Sequence, residues 1–175
     1  MDHLARREAS LIRVAAFDIG KLDDVIHGRV RLGIMAYLAN AGAADFTELK
    51  TLLDLTQGNL SVHLRKLEEA GYVSIDKSFI DRKPLTRARI TDEGRKAFAA
   101  YLEAIAKVLE NEGEFPASLC MYREAIARVR ALRDDATDAR LSLELAESYF
   151  RLKQPLLGAA VLEEAMRACP TSPRW

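Results

Sequence analysis

The chain has 175 residues, 26 Lys+Arg balanced by 26 Asp+Glu, 49% hydrophobic residues and 30% charged residues. That composition supplies a buried core and a solvated surface and excludes wholesale disorder, and no apolar run approaches the roughly 20 residues that cross a bilayer. The N-terminus, MDHLARREASLIRVAAFDIG, is charged throughout and lacks the apolar stretch of a signal peptide, so a cytoplasmic protein without membrane association is expected.

Residues 3–17 have helical spacing, with Leu4, Leu11, Ile12 and Ala15 on one side. Asp23 is placed to cap a second helix running to about Asn40, with Ile26, Val30, Ile34, Met35 and Leu38 recurring on one face and Gly42 as its stop. Asp45, followed at capping-box spacing by Glu48, opens a short helix, FTELKTLLD. Thr56 caps the next, QGNLSVHLRKLEEA, which Gly71 ends. The period then changes: YVSID and PLTRARI read as two strands of a hairpin, joined by the polar loop KSFIDRK. Thr91 caps a long helix from Asp92 to about Asn111, and Gly113 and Pro116 mark a boundary. Three further helices are expected at about 118–132, 140–153 and 156–168, with Pro155 in the first turn of the last. Pro170 and Pro173 end the pattern. The fold class is mainly α with a small β-hairpin. The expected division is an N-terminal helix over 1–20, a central domain over 21–111 and a helical extension over 112–175.

Zero net charge does not exclude a polyanionic partner, because only the local field at the binding face must be positive. Residues 56–90 carry seven basic side chains (Arg65, Lys66, Lys77, Arg82, Lys83, Arg87, Arg89) against four acidic ones (Glu68, Glu69, Asp76, Asp81). Two short helices around a tight turn make a helix-turn-helix, whose second helix can enter a DNA major groove. In QGNLSVHLRKLEEA the stripe Leu60, Leu64, Leu67 fixes one face to a core. The opposite face presents Gly58, Ser61, Val62 and Arg65, flanked by Gln57, Asn59 and Lys66. No carboxylate stands between Asp54 and Glu68. Gln57 and Asn59 can read adenine edges, and Arg65 can read guanine or clamp phosphate. Thr56 and the helix-start N–H groups suit a phosphate.

The segment from DDVIHGRVRLGIMAYL through DFTELKTLLDLTQGNLSVHLRKLEEAGYV and DRKPLTRARIT to TDEGRKAF resembles the winged-helix DNA-binding transcriptional regulators related to the MarR and ArsR groups, over about residues 22–109. The resemblance implies a winged helix-turn-helix that binds double-stranded DNA as a homodimer, often as a repressor. It places Gln57, Asn59, Ser61, Val62, Arg65 and Lys66 at the major groove and Lys77, Arg82, Lys83 and Arg87 on the wing. It assigns the long helix, through Phe98, Leu102, Ile105 and Leu109, to dimerisation. Metal-sensing ArsR relatives carry clustered cysteines near the DNA-binding helices. Here none precedes Cys120, and His3, His27 and His63 lie far apart, so neither metal nor cofactor is expected. His63 reads as a packing or phosphate-contact residue, and Cys120 and Cys169 read as small buried hydrophobes.

In the extension, Leu145, Ala146, Tyr149, Gly158, Leu162, Ala165 and Pro170 fall where a tetratricopeptide repeat of about 34 residues places apolar or small side chains. A lone repeat must pack on a neighbour. A plain helical hairpin that extends the dimer interface fits the same residues. No catalytic residues are expected: the acid pairs Asp23-Asp24, Glu68-Glu69 and Asp134-Asp135 sit at helix ends or outer faces, and no Gly-rich phosphate loop, HExxH or GxSxG occurs. The competing function is a protein-interaction adaptor built on the winged helix and the C-terminal helices. A small-molecule or protein effector acting through the long helix is conceivable from the architecture, and no residue pattern identifies one.

Overall fold

The computed structural model describes residues 22–80, 83–132 and 134–168; the expected helix over 3–17, Cys169, Pro170 and Pro173 lie outside them. Within these residues the elements are α1 (Arg29–Ala41), β1 (Ala43–Asp45), α2 (Phe46–Leu52), α3 (Gln57–Glu69), β2 (Val73–Ile80), β3 (Lys83–Ile90), α4 (Asp92–Glu112), α5 (Phe115–Ala131), α6 (Asp135–Arg151) and α7 (Pro155–Ala168). The chain divides into two compact units, and the division falls inside α4, between Phe98 and Ala99, rather than after that helix.

The first unit packs α1, α2 and α3 against a three-stranded antiparallel sheet of order β1-β3-β2. Its core is Ile26, Ile34, Met35, Leu38, Leu49, the Leu60/Leu64/Leu67 stripe, Val73, Ala88, Ile90 and Phe98. Asp45 forms the expected capping box, its own N–H donating to Glu48 Oε2 at 3.2 Å. Tyr37 donates to the other oxygen of that carboxylate. Two expectations need correction. Asp23 does not open α1, which starts at Arg29 after Gly28. Its Oδ1 instead accepts from the N–H of Val25 (2.8 Å) and Ile26 (3.0 Å) in a preceding turn, and its Oδ2 accepts from Tyr72 OH at 2.6 Å. The side chain is thus consumed by a turn and a distant tyrosine. The segment KSFIDRK is largely strand rather than loop: β2 continues through Lys77–Ile80 and β3 begins at Lys83, paired from Val73↔Ile90 to Ile80↔Lys83, while Asp81 and Arg82 lie outside the described residues. Strand β1, unanticipated, pairs with β3 as Ala43↔Arg89 and Asp45↔Arg87. Finally, Thr91 does cap α4, but its Oγ1 also bridges, donating to Gly71 O (2.7 Å) and accepting from Gly94 N–H (2.9 Å). That bridge brings Gly94 so close to Tyr72 that a Cβ on it would stand 2.1 Å from the Tyr72 carbonyl oxygen.

The second unit is helical, from the later turns of α4 through α7. Helix α5 starts at Phe115 and α6 at Asp135, both earlier than the sequence pattern indicates. Helix α5 ends at Ala131 and Asp134 caps α6, accepting from Thr137 N–H at 3.2 Å, so Thr137 lies inside α6. Tyr122, Ala125, Val129, Leu141, Leu145, Ala146, Tyr149 and Ala165 are buried. Gly158 of α7 lies against α6, where a Cβ would meet the Phe150 ring at 2.9 Å. Arg140 grips Glu103 through both terminal guanidinium nitrogens, Nη1 to Oε1 and Nη2 to Oε2 (2.6 and 2.7 Å). Cys120, expected to be buried, is exposed: its position on α5 lies away from the Ser118/Tyr122 buried side.

Candidate nucleic-acid interface

Helix α3 exists because its leucine stripe repeats at helical spacing and its start is locally satisfied. Thr56 Oγ1 accepts from Asn59 N–H at 3.3 Å. The intrahelical ladder supplies no acceptor for the N–H groups of Gln57 and Gly58, which therefore point out of the helix end. The stripe is fully inside (Leu60 0%, Leu64 2%, Leu67 0%). It turns Gln57, Gly58, Asn59, Ser61, Val62, Arg65 and Lys66 to the surface, all of them exposed. Ser61 Oγ donates to Gln57 O at 2.8 Å, which fixes its rotamer and leaves its lone pairs outward. A Cβ on Gly58 would meet nothing within 4 Å, so packing does not demand a glycine there.

Beside α3 the β2/β3 ribbon closes a cleft of about 550 Å³. Its walls bring Gln57, Ser61 and Arg65 from α3 together with Lys77 and Thr86 from the ribbon, over a floor that includes Leu64 and Ile75. Glu68 also lines it and is its one acid. Lys77 reaches the cleft because strand alternation puts it on the same ribbon face as buried Val73.

Other sequence-derived candidates are not gathered here. Lys66 lies in a separate concavity with Asp24, Val25, Arg31 and Glu69. Arg87 is not an unpaired wing cation: the β1–β3 register sets it against Asp45, its Nε 3.2 Å from Oδ1. Arg89 is likewise paired with Asp76 at 3.0 Å. The side chains of Arg82 and Lys83 lie outside the described residues. In α4, Phe98 and Leu102 are buried within the single chain, so they offer no free surface to a partner; Ile105 and Leu109 are half-buried. His63 is partly buried on α3 with its Nδ1 lacking a hydrogen-bond partner. Burial, then the charges of Arg31 and Lys66, hold its pKa below the ordinary histidine value. Among the described residues no cluster of three or more His, Cys, Asp or Glu is disposed to hold a metal, and no helix is long and apolar enough to cross a membrane. Sequence reasoning missed Thr86 and Phe79; the signal was the alternation Val73, Ile75, Lys77, Phe79, which continues a strand past the core.

Residues 30–109 match the family described as winged helix DNA-binding domain. An uncharacterised protein of Methanocaldococcus jannaschii is 40% identical over 87 residues, a match spanning 50% of this chain and 95% of that protein. The chain belongs to the winged helix DNA-binding family. A solved structure titled as a transcriptional regulator homologue from Pyrococcus horikoshii OT3 is 34% identical, covering 58% of this chain and 94% of that one, at a TM-score of 0.47. In winged-helix terms α2 and α3 are the helix-turn-helix and β2/β3 is the wing. Helices α5, α6 and α7 lie beyond the matched residues.

Proposed function

We propose that this chain is a sequence-specific, dimeric transcriptional regulator that represses by occupying promoter DNA. The observation that carries the reading is the exposed, acid-free start of α3 beside a cleft walled by Arg65 and Lys77. In this reading α3 enters the major groove with Gln57, Asn59, Ser61, Val62 and Arg65 toward base edges. Val62, 54% exposed, suits a thymine methyl. Thr56 and the first-turn N–H groups meet a phosphate. Lys77, with Arg82 and Lys83 further along the wing, serves the backbone or minor groove. Two copies would set their α3 helices about 34 Å apart on a roughly palindromic operator. Ile105 and Leu109, rather than buried Phe98 and Leu102, are the α4 residues available to such a dimer.

Selection of duplexes from a random pool, followed by fluorescence anisotropy and sedimentation, tests this. Arg65→Ala is expected to weaken binding by about 1–3 kcal/mol and relax preference at one base position. Binding should fall steeply with salt. Unchanged affinity in the variant removes Arg65 from the interface, and a monomer at micromolar concentration removes the two-headed arrangement. A second reading, a protein-interaction adaptor, is favoured by the apolar side chains that α7 leaves exposed, Leu156 (84%), Leu157 and Met166. Salt-insensitive capture of a protein partner without DNA retention would support it.

A further inference from the structure

The wing carries a large aromatic side chain that the fold leaves in solvent. Phe79 is 77% exposed. Its direction follows from strand alternation: Val73, Ile75, Lys77 and Phe79 share one face of β2. On that face Val73 is buried, and Ile75 and Lys77 line the cleft against α3. Phe79 therefore stands on the recognition-helix side of the ribbon, one side-chain repeat beyond Lys77. At about 3.3 Å per residue it lies about 13 Å outward from Ile75. The strand pairing continues to this level, with Phe79 opposite Pro84, so the ring rides on a paired ribbon rather than on a loop.

We infer that Phe79 is a wedge that enters the minor groove next to the major groove occupied by α3, partly unstacks a base step and bends the bound duplex. The inference rests on the DNA-binding reading above. The minor groove, about 6 Å wide, is separated from the major groove by one sugar–phosphate strand. A reach of about 13 Å from the flank of α3 crosses that strand. Apolar side chains inserted between base steps kink duplexes by about 20–90°. The surrounding charge suits such an insertion. Lys77 shares the ring's face, Arg82 and Lys83 follow in sequence, and Asp81 is the one acid between Lys77 and Arg87. Lys77, on the ring's own face of the ribbon, can neutralise a phosphate beside an opened step.

The experiment uses the full chain and duplexes it selects from a random pool, labelled at both ends with a donor–acceptor pair and carrying 2-aminopurine at successive flanking steps. The wild-type protein is expected to draw the duplex ends together and to brighten one 2-aminopurine position. Phe79→Ala should bind the same sequences about tenfold more weakly, leave the duplex straight and leave that position quenched. Phe79→Leu, which keeps an apolar wedge, should recover part of the bend. Thermal melts of both variants should match the wild type, since the ring is exposed. Equal bending and equal 2-aminopurine signal in wild type and Phe79→Ala overturn the wedge and leave DNA binding standing. A change in sedimentation without a change in bending reassigns Phe79 to a contact between copies and also overturns it. A wild-type chain that retains no duplex overturns both the wedge and the reading beneath it.

Discussion

Gly58 separates what the fold needs from what a duplex would need. It is the second residue of α3, its φ is not positive, and a Cβ there would meet nothing within 4 Å. Glycine within a helix costs about 0.5–1 kcal/mol relative to alanine. Gly58→Ala is therefore expected to stabilise the winged unit by about that amount. For a unit of this size the melting temperature should rise by about 2–8 °C. The added methyl projects about 1.5 Å from the helix surface. If the first turn of α3 lies against bases or backbone, that methyl pushes the helix away and stretches a hydrogen bond of about 2.9 Å beyond reach. Losing one bidentate contact costs about 1–3 kcal/mol, so affinity should drop while stability rises. Melting followed by circular dichroism gives the first quantity and anisotropy at fixed salt gives the second. A higher melting temperature with unchanged affinity would show that the start of α3 does not approach the duplex. A lower melting temperature would refute the open-space argument itself.

Two further substitutions probe the scaffold. Gly94→Ala puts a Cβ 2.1 Å from the Tyr72 carbonyl oxygen, with backbone on both sides of the clash. It should destabilise by about 1–3 kcal/mol or more, seen as a lower urea midpoint; a wild-type midpoint would contradict the tight approach of α4 to the turn after α3. His63 is held below the ordinary histidine pKa by burial and by Arg31 and Lys66, so the unfolded chain takes up its proton first as pH falls. The stability it supports is present above about pH 6.5 and lost as pH drops through the folded-state value. His63→Leu should flatten the fall in melting temperature between pH 7 and pH 5, and an equally steep fall in the variant would assign that loss to other groups.

Features that depend on neighbours in sequence were legible. The leucine period fixed the buried face of α3, and the boxes at Asp45/Glu48 and Thr56 involve bonds no more than three residues long. Long-range features were not. The carboxylate of Asp23 is shared with a tyrosine 49 positions away, so local capping rules misplace the start of α1. The three residues of β1 are too few to carry a period. Pairing of β1 with β3 is what ties Arg87 to Asp45 and takes it off the list of unpaired cations. Past Ile75 the alternation of β2 passes through the polar Lys77 before it reaches Phe79, so Lys77 and Phe79 look like loop residues until the pairing with β3 is seen. For Cys120 the position on α5, away from the buried Ser118/Tyr122 side, outweighs the residue type's preference for burial.

Asp45 occupies three roles at once: last residue of β1, cap of α2 and ion-pair partner of Arg87 on β3. The helix-turn-helix and the root of the ribbon thereby meet at Asp45, which adds to the core packing and β1–β3 pairing that link their spacing. A ruler of fixed gauge places the burden of adjustment on its target. Sequences whose grooves already have the right width, or whose steps yield cheaply, are favoured even at positions no side chain touches.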